Sequence, residues 1–289
     1  KSDKSRSAES IIKLVVLYFI FNSLIGFIDG FVSLLIPMYS CWYLLALIVW
    51  RMSAPYISKI KWSPVILFIA ALISGFYPDI DNTFSVARII CFYPFYMLGY
   101  KLSSDKDLEV QKMHKPKKYL IGSAALILMC LIGYFSVQFF KYSDEALVML
   151  CYRNVYDCLG RALLFLVALL AIIAFHFLSS DSEVSLITEF GRNSLWIFLF
   201  HRLFAIAISN FLTDLPMFQL ILAAFVSAII LCLVFGNSYV GKFMNKFISE
   251  GVGTFVSDEE HKINLASVVM ICIFIWFIVN AFILIVAAF

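Results

Sequence analysis

Apolar residues run along most of the chain in long, continuous stretches, with charged residues mainly in the segments between them. Runs approaching 20 apolar residues are typical of helices that cross the roughly 30 Å of bilayer hydrocarbon. Strands of a membrane barrel would be about ten residues long and alternate in polarity, so the pattern excludes a barrel. The runs predict nine transmembrane helices, near residues 11–28, 41–57, 63–77, 86–100, 119–140, 159–177, 191–211, 216–235 and 265–288.

These helices leave room for only short connections, so the sequence predicts an all-α, polytopic membrane bundle forming a single transmembrane domain over residues 1–289. Within it, residues 236–264 are predicted to form a cytoplasmic loop before a last span at 265–289. The basic residues set the orientation. One of the two alternating sets of connections carries 17 of the 22 Lys and Arg residues, which predicts a cytoplasmic N-terminus by the positive-inside rule.

Composition narrows the class of protein further. A chain that is 63% hydrophobic and only 14% charged is far more apolar than a water-soluble domain or a disordered segment. Its mean hydropathy is +0.94. A net charge of +3 is too small to neutralise a nucleic-acid backbone, so the predicted partner is the lipid bilayer and not nucleic acid.

The short motifs of ATP-driven transporters, metalloproteases and serine hydrolases are absent from the sequence. It has no phosphate-binding loop, no H-E-x-x-H and no G-x-S-x-G, and its Cys and His residues lack zinc-site spacing, so we expect no metal. Cys151 and Cys158 lie near the predicted outer face, where the spacing is compatible with either a disulfide or two free thiols.

His201 and Arg202 lie in the middle of a predicted span, counted from Gly191. Ionisable groups at that depth are costly, so they mark either a functional cavity or a helix-to-helix hydrogen bond. Adjacent helical residues point about 100° apart, so the two side chains share a cavity only if it is wide.

Arg88 and Arg161 each lie close to the predicted outer end of a span. Both could reach an outward-facing cavity, or simply extend to the headgroups. Arg88 is followed by aromatic residues, a common way to hold a sugar or nucleotide, and Trp42 and Tyr43 belong to the same outer layer, where an aromatic membrane belt is the alternative. The aromatic residues after Arg88 are Phe92, Tyr93, Phe95, Tyr96 and Tyr100.

Three segments resemble, in this order and at about these distances, the acyltransferase 3 family of bacterial membrane proteins, particularly its fucose 4-O-acetylase-like branch. They are WYLLALIVWR (42–51), ARIICFYPFYMLGYKL (87–102) and GRNSLWIFLFH (191–201). The resemblance covers residues 1–235 and implies that this chain is shortened by the family's first two spans, with 265–289 as an addition. It also implies a multi-pass protein of the bacterial inner membrane.

Members of this family transfer an acyl group, usually acetyl from cytoplasmic acetyl-CoA, to a hydroxyl of an envelope glycan or lipid-linked glycan. By this resemblance we expect Arg88 to stabilise the oxyanion or orient the acceptor. His201 matches the His that ends the third motif and is expected to act as a base or to hydrogen-bond the donor. Trp42, Tyr43, Arg161 and Arg202 are expected to bind substrate along an outward-facing crevice.

Two other functions remain open at this point. A transporter or flippase for a lipid-linked glycan would also need many spans and buried ionisable residues, although it predicts inverted repeats that we do not find. A non-catalytic scaffold for envelope assembly is the other alternative.

Overall fold

We describe a computed structural model over residues 3–28, 36–77, 84–102, 113–139, 152, 155–179, 184–211 and 216–253. Every regular element in these ranges is helical, apart from turns and bends between them. A short 3-10 helix, Tyr39–Cys41, precedes α2. The α-helices are α1 (Asp3–Ile28), α2 (Trp42–Ile57), α3 (Ser63–Ser74), α4 (Val86–Lys101), α5 (Lys115–Phe139), α6 (Tyr156–Leu178), α7 (Ser185–Arg192), α8 (Ser194–Phe211), α9 (Met217–Phe235) and α10 (Ser238–Gly253).

Helix length and composition confirm a polytopic membrane protein of the all-α class. Within the described ranges, four helices are long and apolar enough to cross a bilayer, namely Glu9–Ile28, Lys115–Ser136, Tyr156–Leu178 and Met217–Phe235. Ser63–Ser74 and Ser194–Ile206 are apolar but shorter. The predicted count of nine spans stays a prediction, since residues 265–288 lie outside the described ranges.

The predicted span 191–211 begins later in the structure, because the chain turns at Asn193. The backbone N–H of Asn193 donates to Glu189 O (3.1 Å) at the end of α7, and its carbonyl accepts from Trp196 N–H (3.0 Å) at the start of α8. Helix α7 therefore ends just before Asn193 and α8 begins just after it. His201 consequently lies about 10 Å along its helix, not the 15 Å that counting from Gly191 predicts.

The region predicted as a cytoplasmic loop, 236–264, contains helix α10. One side of α10 is buried at Gly241 and Ile248, while Lys242 and Lys246 are exposed. A helix that mixes lysines with apolar residues has no continuous apolar run, so a search for apolar stretches does not detect it.

The described helices divide into two compact units, which we treat separately. The first unit holds residues 1–48 and 183–289, and the second holds 49–182, so that α2 contributes to both. The core of the first unit is built from α1, the start of α2, and α8, with Ile25, Leu44 and Leu199 almost completely buried.

The second unit contains two helix pairs, α3 with α4 and α5 with α6. Lys118, near the start of α5, donates to Ser179 O just after α6 (3.3 Å). Lys101, at the end of α4, donates to Ile60 O (2.6 Å) just before α3. Each pair is therefore antiparallel, as expected for successive spans joined by short connections.

Candidate functional site

Residues 36–38, just before the 3-10 helix of the first unit, are non-helical and contact α1 at Asn22. Asn22 is only 2% exposed and lies six residues, about 9 Å, before the last residue of α1. Its Oδ1 accepts a hydrogen bond from Met38 N–H (2.6 Å) and its Nδ2 donates to Ile36 O (3.5 Å). Non-helical backbone is tolerated at membrane depth only where protein or cavity water satisfies it. Asn22 supplies that satisfaction here.

Arg202 lies against this segment. Its guanidinium carbon is 3.3 Å from the centre of the Tyr39 ring, in the 3-10 helix that follows Met38. Tyr39 has a positive φ of 43°, a conformation that costs a non-glycine residue energy and often accompanies a functional site. Among the described residues, no group accepts a hydrogen bond from the buried Nε of Arg202.

His201 lies on the same stretch of α8 and is half-buried. Its Nδ1 is in short hydrogen-bond contact with the carbonyl oxygen of Phe198. A carbonyl oxygen can only accept, so this contact favours the tautomer with the proton on Nδ1 and the lone pair on Nε2. The role of His201 as a base stays a prediction.

Aromatic rings connect these residues to the start of α2. The ring of Phe198 is 5.2 Å from the His201 ring and 5.0 Å from the Tyr43 ring, and Tyr43 contacts Trp42 at 6.0 Å. We call the set Asn22, Tyr39, Trp42, Tyr43, Phe198, His201 and Arg202 the Tyr39 cluster. It brings together four of the six predicted site residues, and sequence reasoning missed Asn22, Tyr39 and Phe198.

Arg161 belongs to the second unit and is 1% exposed. Its Nη1 donates to Ala71 O (3.2 Å) on α3 and contacts Cys91 Sγ (3.5 Å) on α4, while its guanidinium lies 4.3 Å from the centre of the Tyr152 ring. Tyr152 is itself held to α3 by a hydrogen bond from its hydroxyl to Leu72 O (2.8 Å). These contacts join α6 to α3 and α4, and the substrate-binding role predicted for Arg161 stays a prediction.

Arg88 is the third residue of α4 and is half-buried. A cation in the first turn of a helix opposes the helix dipole, so the position is unfavourable unless a nearby anion compensates. The chain enters α4 through two residues with positive φ, Phe84 (60°) and Ser85 (51°). Arg88 therefore follows a strained turn, and its role in the reaction stays a prediction.

The aromatic residues that follow Arg88 divide between two packing groups instead of forming one face. Tyr96 packs against Trp50 on α2 at 5.3 Å, and Trp50 also donates from Nε1 to Ile89 O (3.0 Å). Phe95 packs in the opposite group, against Phe165 of α6 at 5.6 Å. Helix packing accounts for these contacts, so they give no separate support to a sugar-binding face.

Arg88 and Arg161 lie in the second unit and the Tyr39 cluster in the first, so one crevice shared by all six predicted residues stays a prediction. Within the described ranges, no three His, Cys, Asp or Glu side chains could jointly hold a metal ion. Cys158 is a free thiol, and Cys151 lies outside those ranges.

In the segment GRNSLWIFLFH (191–201), Asn193 marks the start of α8. Asn193 Nδ2 donates to Gly236 O (2.9 Å) after α9, and Glu189 Oε1 accepts a short hydrogen bond from Ser238 N–H at the start of α10. A Cβ on Gly241 would lie 2.6 Å from Asn193 Cγ, so a larger residue there would have to displace the Asn193 side chain. Asn193 therefore holds the start of α8 against the connection between α9 and α10. His201 follows Asn193 by eight residues, so these contacts help to position it.

Hydrogen bonds from Ser238 to its carboxylate, followed by the nearby charges of Lys242 and Arg192, hold the pKa of Glu189 below its usual value. A carboxylate at a helix N-terminus is stabilised by the unsatisfied N–H groups there. Glu189 therefore caps α10 from a different helix.

Comparison with known proteins assigns the chain to a family. The family model described as an acyltransferase domain, that of the acyltransferase 3 family, matches residues 10–237. No curated protein and no solved structure matches the chain. The match spans most of the chain, including the Tyr39 cluster, Arg88 and Arg161. The protein is a multi-pass membrane protein that belongs to the acyltransferase 3 family.

Proposed function

We propose that this protein is an O-acyltransferase of the bacterial inner membrane. It transfers an acetyl group from cytoplasmic acetyl-CoA to a hydroxyl of an envelope or exported glycan. Family membership supports acyl transfer in general. The acetyl donor, the glycan acceptor and the bacterial inner membrane go beyond the family assignment and are part of this proposal.

The observation that carries the proposal is the contact of His201 Nδ1 with Phe198 O, which favours a proton on Nδ1. A hydroxyl is a poor nucleophile at neutral pH, so acyl transfer to oxygen needs a base beside it. With Nδ1 protonated, Nε2 can accept the hydroxyl proton as the oxygen attacks the thioester carbonyl. The C–S bond then breaks, and the thiolate that leaves takes the proton from His201, which balances the reaction.

Arg202 and Tyr39 are proposed to bind the substrate beside this base. A guanidinium on a tyrosine ring is held in place while its remaining N–H groups can still donate to oxygen atoms. Trp42 and Tyr43 offer aromatic surface next to Phe198, on which a sugar ring can pack. The oxyanion or acceptor-orienting role of Arg88 stays a separate prediction.

The test is transfer of labelled acetyl from acetyl-CoA to an envelope fraction by the purified full-length protein. We expect His201→Ala to reduce turnover at least about 100-fold, the usual contribution of a positioned base. His176→Ala is the matched control, because His176 is an exposed histidine at the end of α6 and should leave turnover unchanged.

Arg88→Ala in the same assay tests the second predicted role separately. Undiminished turnover in His201→Ala would remove this residue from the chemistry, and undiminished turnover in Arg88→Ala would do the same for Arg88. Movement of labelled lipid-linked glycan across vesicles without acetylation would support the transporter in place of the enzyme.

A further inference from the structure

Helix α10 exposes a stripe of aromatic side chains. Tyr239, Phe243 and Phe247 are 83%, 68% and 65% exposed. Residues four apart lie only about 40° apart around a helix, so the three rings form one continuous strip. The opposite side of α10 packs into the first unit through Ile248, which is 8% exposed.

Two lysines run beside this stripe. Lys242 and Lys246 are one turn apart and both exposed, and each directly precedes one of the two phenylalanines in the sequence. Glu250 contacts Lys246 at 3.6 Å, an exposed pair that offsets part of the positive charge. Aromatic rings flanked by lysines are typical of helices that lie in the membrane interface, where the rings meet the acyl chains and the ammonium groups meet phosphates.

The position of α10 along the chain places it at this interface. Met217–Phe235 is long and apolar enough to span a bilayer, and α10 begins at Ser238, after a corner of only two residues. Glu189 and Asn193 fix that corner by their bonds to Ser238 N–H and Gly236 O. The start of α10 therefore lies where the preceding span leaves the hydrocarbon.

We infer that α10 lies in the headgroup layer of an anionic lipid leaflet, with Tyr239, Phe243 and Phe247 toward the acyl chains and Lys242 and Lys246 at the lipid phosphates. A protein segment packed on the stripe would have to bury the neighbouring ammonium groups, which is costly without acidic partners. Phosphates of anionic lipids supply those partners directly. The inference does not depend on the proposed reaction.

Depth-dependent fluorescence tests the aromatic stripe in the full chain. Phe243→Trp and Asn245→Trp place the reporter at two exposed positions about 160° apart around α10, so Asn245 is the matched control. The vesicles contain about 30% phosphatidylglycerol and lipids brominated near the top of the acyl chain, which quench nearby tryptophans. The parent protein gives the emission of the five native tryptophans, which is subtracted. We expect quenching at position 243 to exceed that at 245 at least about twofold.

The charge requirement is tested by titrating phosphatidylglycerol against thermal unfolding of the detergent-purified protein. Each lysine at the membrane surface contributes about fivefold to binding, so the Lys242→Gln/Lys246→Gln variant should need at least about tenfold more phosphatidylglycerol for half-maximal stabilisation. The control is the same titration with phosphatidylcholine, which carries no net charge, and there the parent protein and the variant should differ by less than about twofold.

Equal quenching at positions 243 and 245 would overturn the inference, as would no quenching at 243, which is the result expected if residues 254–289 or another protein cover the stripe. Equal phosphatidylglycerol responses of the parent protein and the Lys242→Gln/Lys246→Gln variant would also overturn it, because the charge effect would then not belong to α10.

Discussion

Arg161 can be interpreted either as a substrate-binding residue or as a residue that joins helices. Its contacts with Ala71 O, Cys91 Sγ and the Tyr152 ring are those of a side chain that joins helices. Lysine keeps the charge but lacks the planar fork that makes several of these contacts at once. We expect Arg161→Lys to destabilise the protein by about 2 kcal/mol, seen as a lower thermal midpoint in detergent.

Arg192→Lys is the control for this prediction, since Arg192 is exposed at the end of α7 and should tolerate lysine with little loss of stability. If Arg161→Lys unfolds at the parental temperature yet loses acetyl transfer, Arg161 acts in substrate binding, as the sequence predicts, and not in helix packing.

At the residue scale, the sequence could identify polar groups that are costly in a membrane but not what they contact. His201 and Arg202 stand out because they interrupt an apolar span. Asn22 is also a polar residue within a predicted span, although its uncharged amide is less costly there. Nothing in the sequence distinguishes Tyr39. The partners of Asn22 are Met38 N–H and Ile36 O, which are backbone groups that any residue type could present.

At the scale of whole helices, the length of apolar runs predicted the spanning helices well because it is a local property. The predicted segment 159–177 corresponds to α6 (Tyr156–Leu178), and 216–235 to α9 (Met217–Phe235). The amphipathic helices α7 and α10 were missed, since charged and polar residues interrupt their apolar residues. Their positions depend on contacts between helices, such as that of Asn193 with Gly236 O.

The contact of Glu189 with the start of α10 predicts a pH-dependent stability. A carboxyl whose pKa is lowered on folding stabilises the folded state above its unfolded pKa, near the ordinary value of 4.5. This contribution is lost as the pH falls through the lowered pKa. Glu189→Gln should therefore lower the thermal midpoint at pH 7, and the difference from the parent protein should shrink as the pH is brought below 4.5.

Glu250→Gln is the matched control on α10. Glu250 forms only an exposed pair with Lys246, and such pairs contribute little to stability. A difference between Glu189→Gln and the parent that stays constant from pH 7 to acid pH would show that the carboxylate charge is not what caps the helix.

At the scale of the whole molecule, two conclusions do not come from contacts between residues. The assignment of acyl transfer comes from the family match, and the orientation in the membrane comes from the distribution of charge. The match from residue 10 to residue 237 includes helices of both units, so acyl transfer is assigned to the chain as a whole and not to either unit alone. Orientation in the membrane instead rests on the unequal distribution of Lys and Arg.

That orientation can be measured with a reporter that is active only in the cytoplasm, fused after chosen residues of the chain. Lys101 and Lys118 mark the basic ends of α4 and α5, so a fusion after Leu102 should be active, and one after Phe139, at the other end of α5, should be inactive. A fusion after Gly253 should also be active, because α10 follows a span that returns to the basic side. The reverse pattern would place Arg88 and Arg161 near the cytoplasm, and the acceptor hydroxyl would then have to be acylated before export.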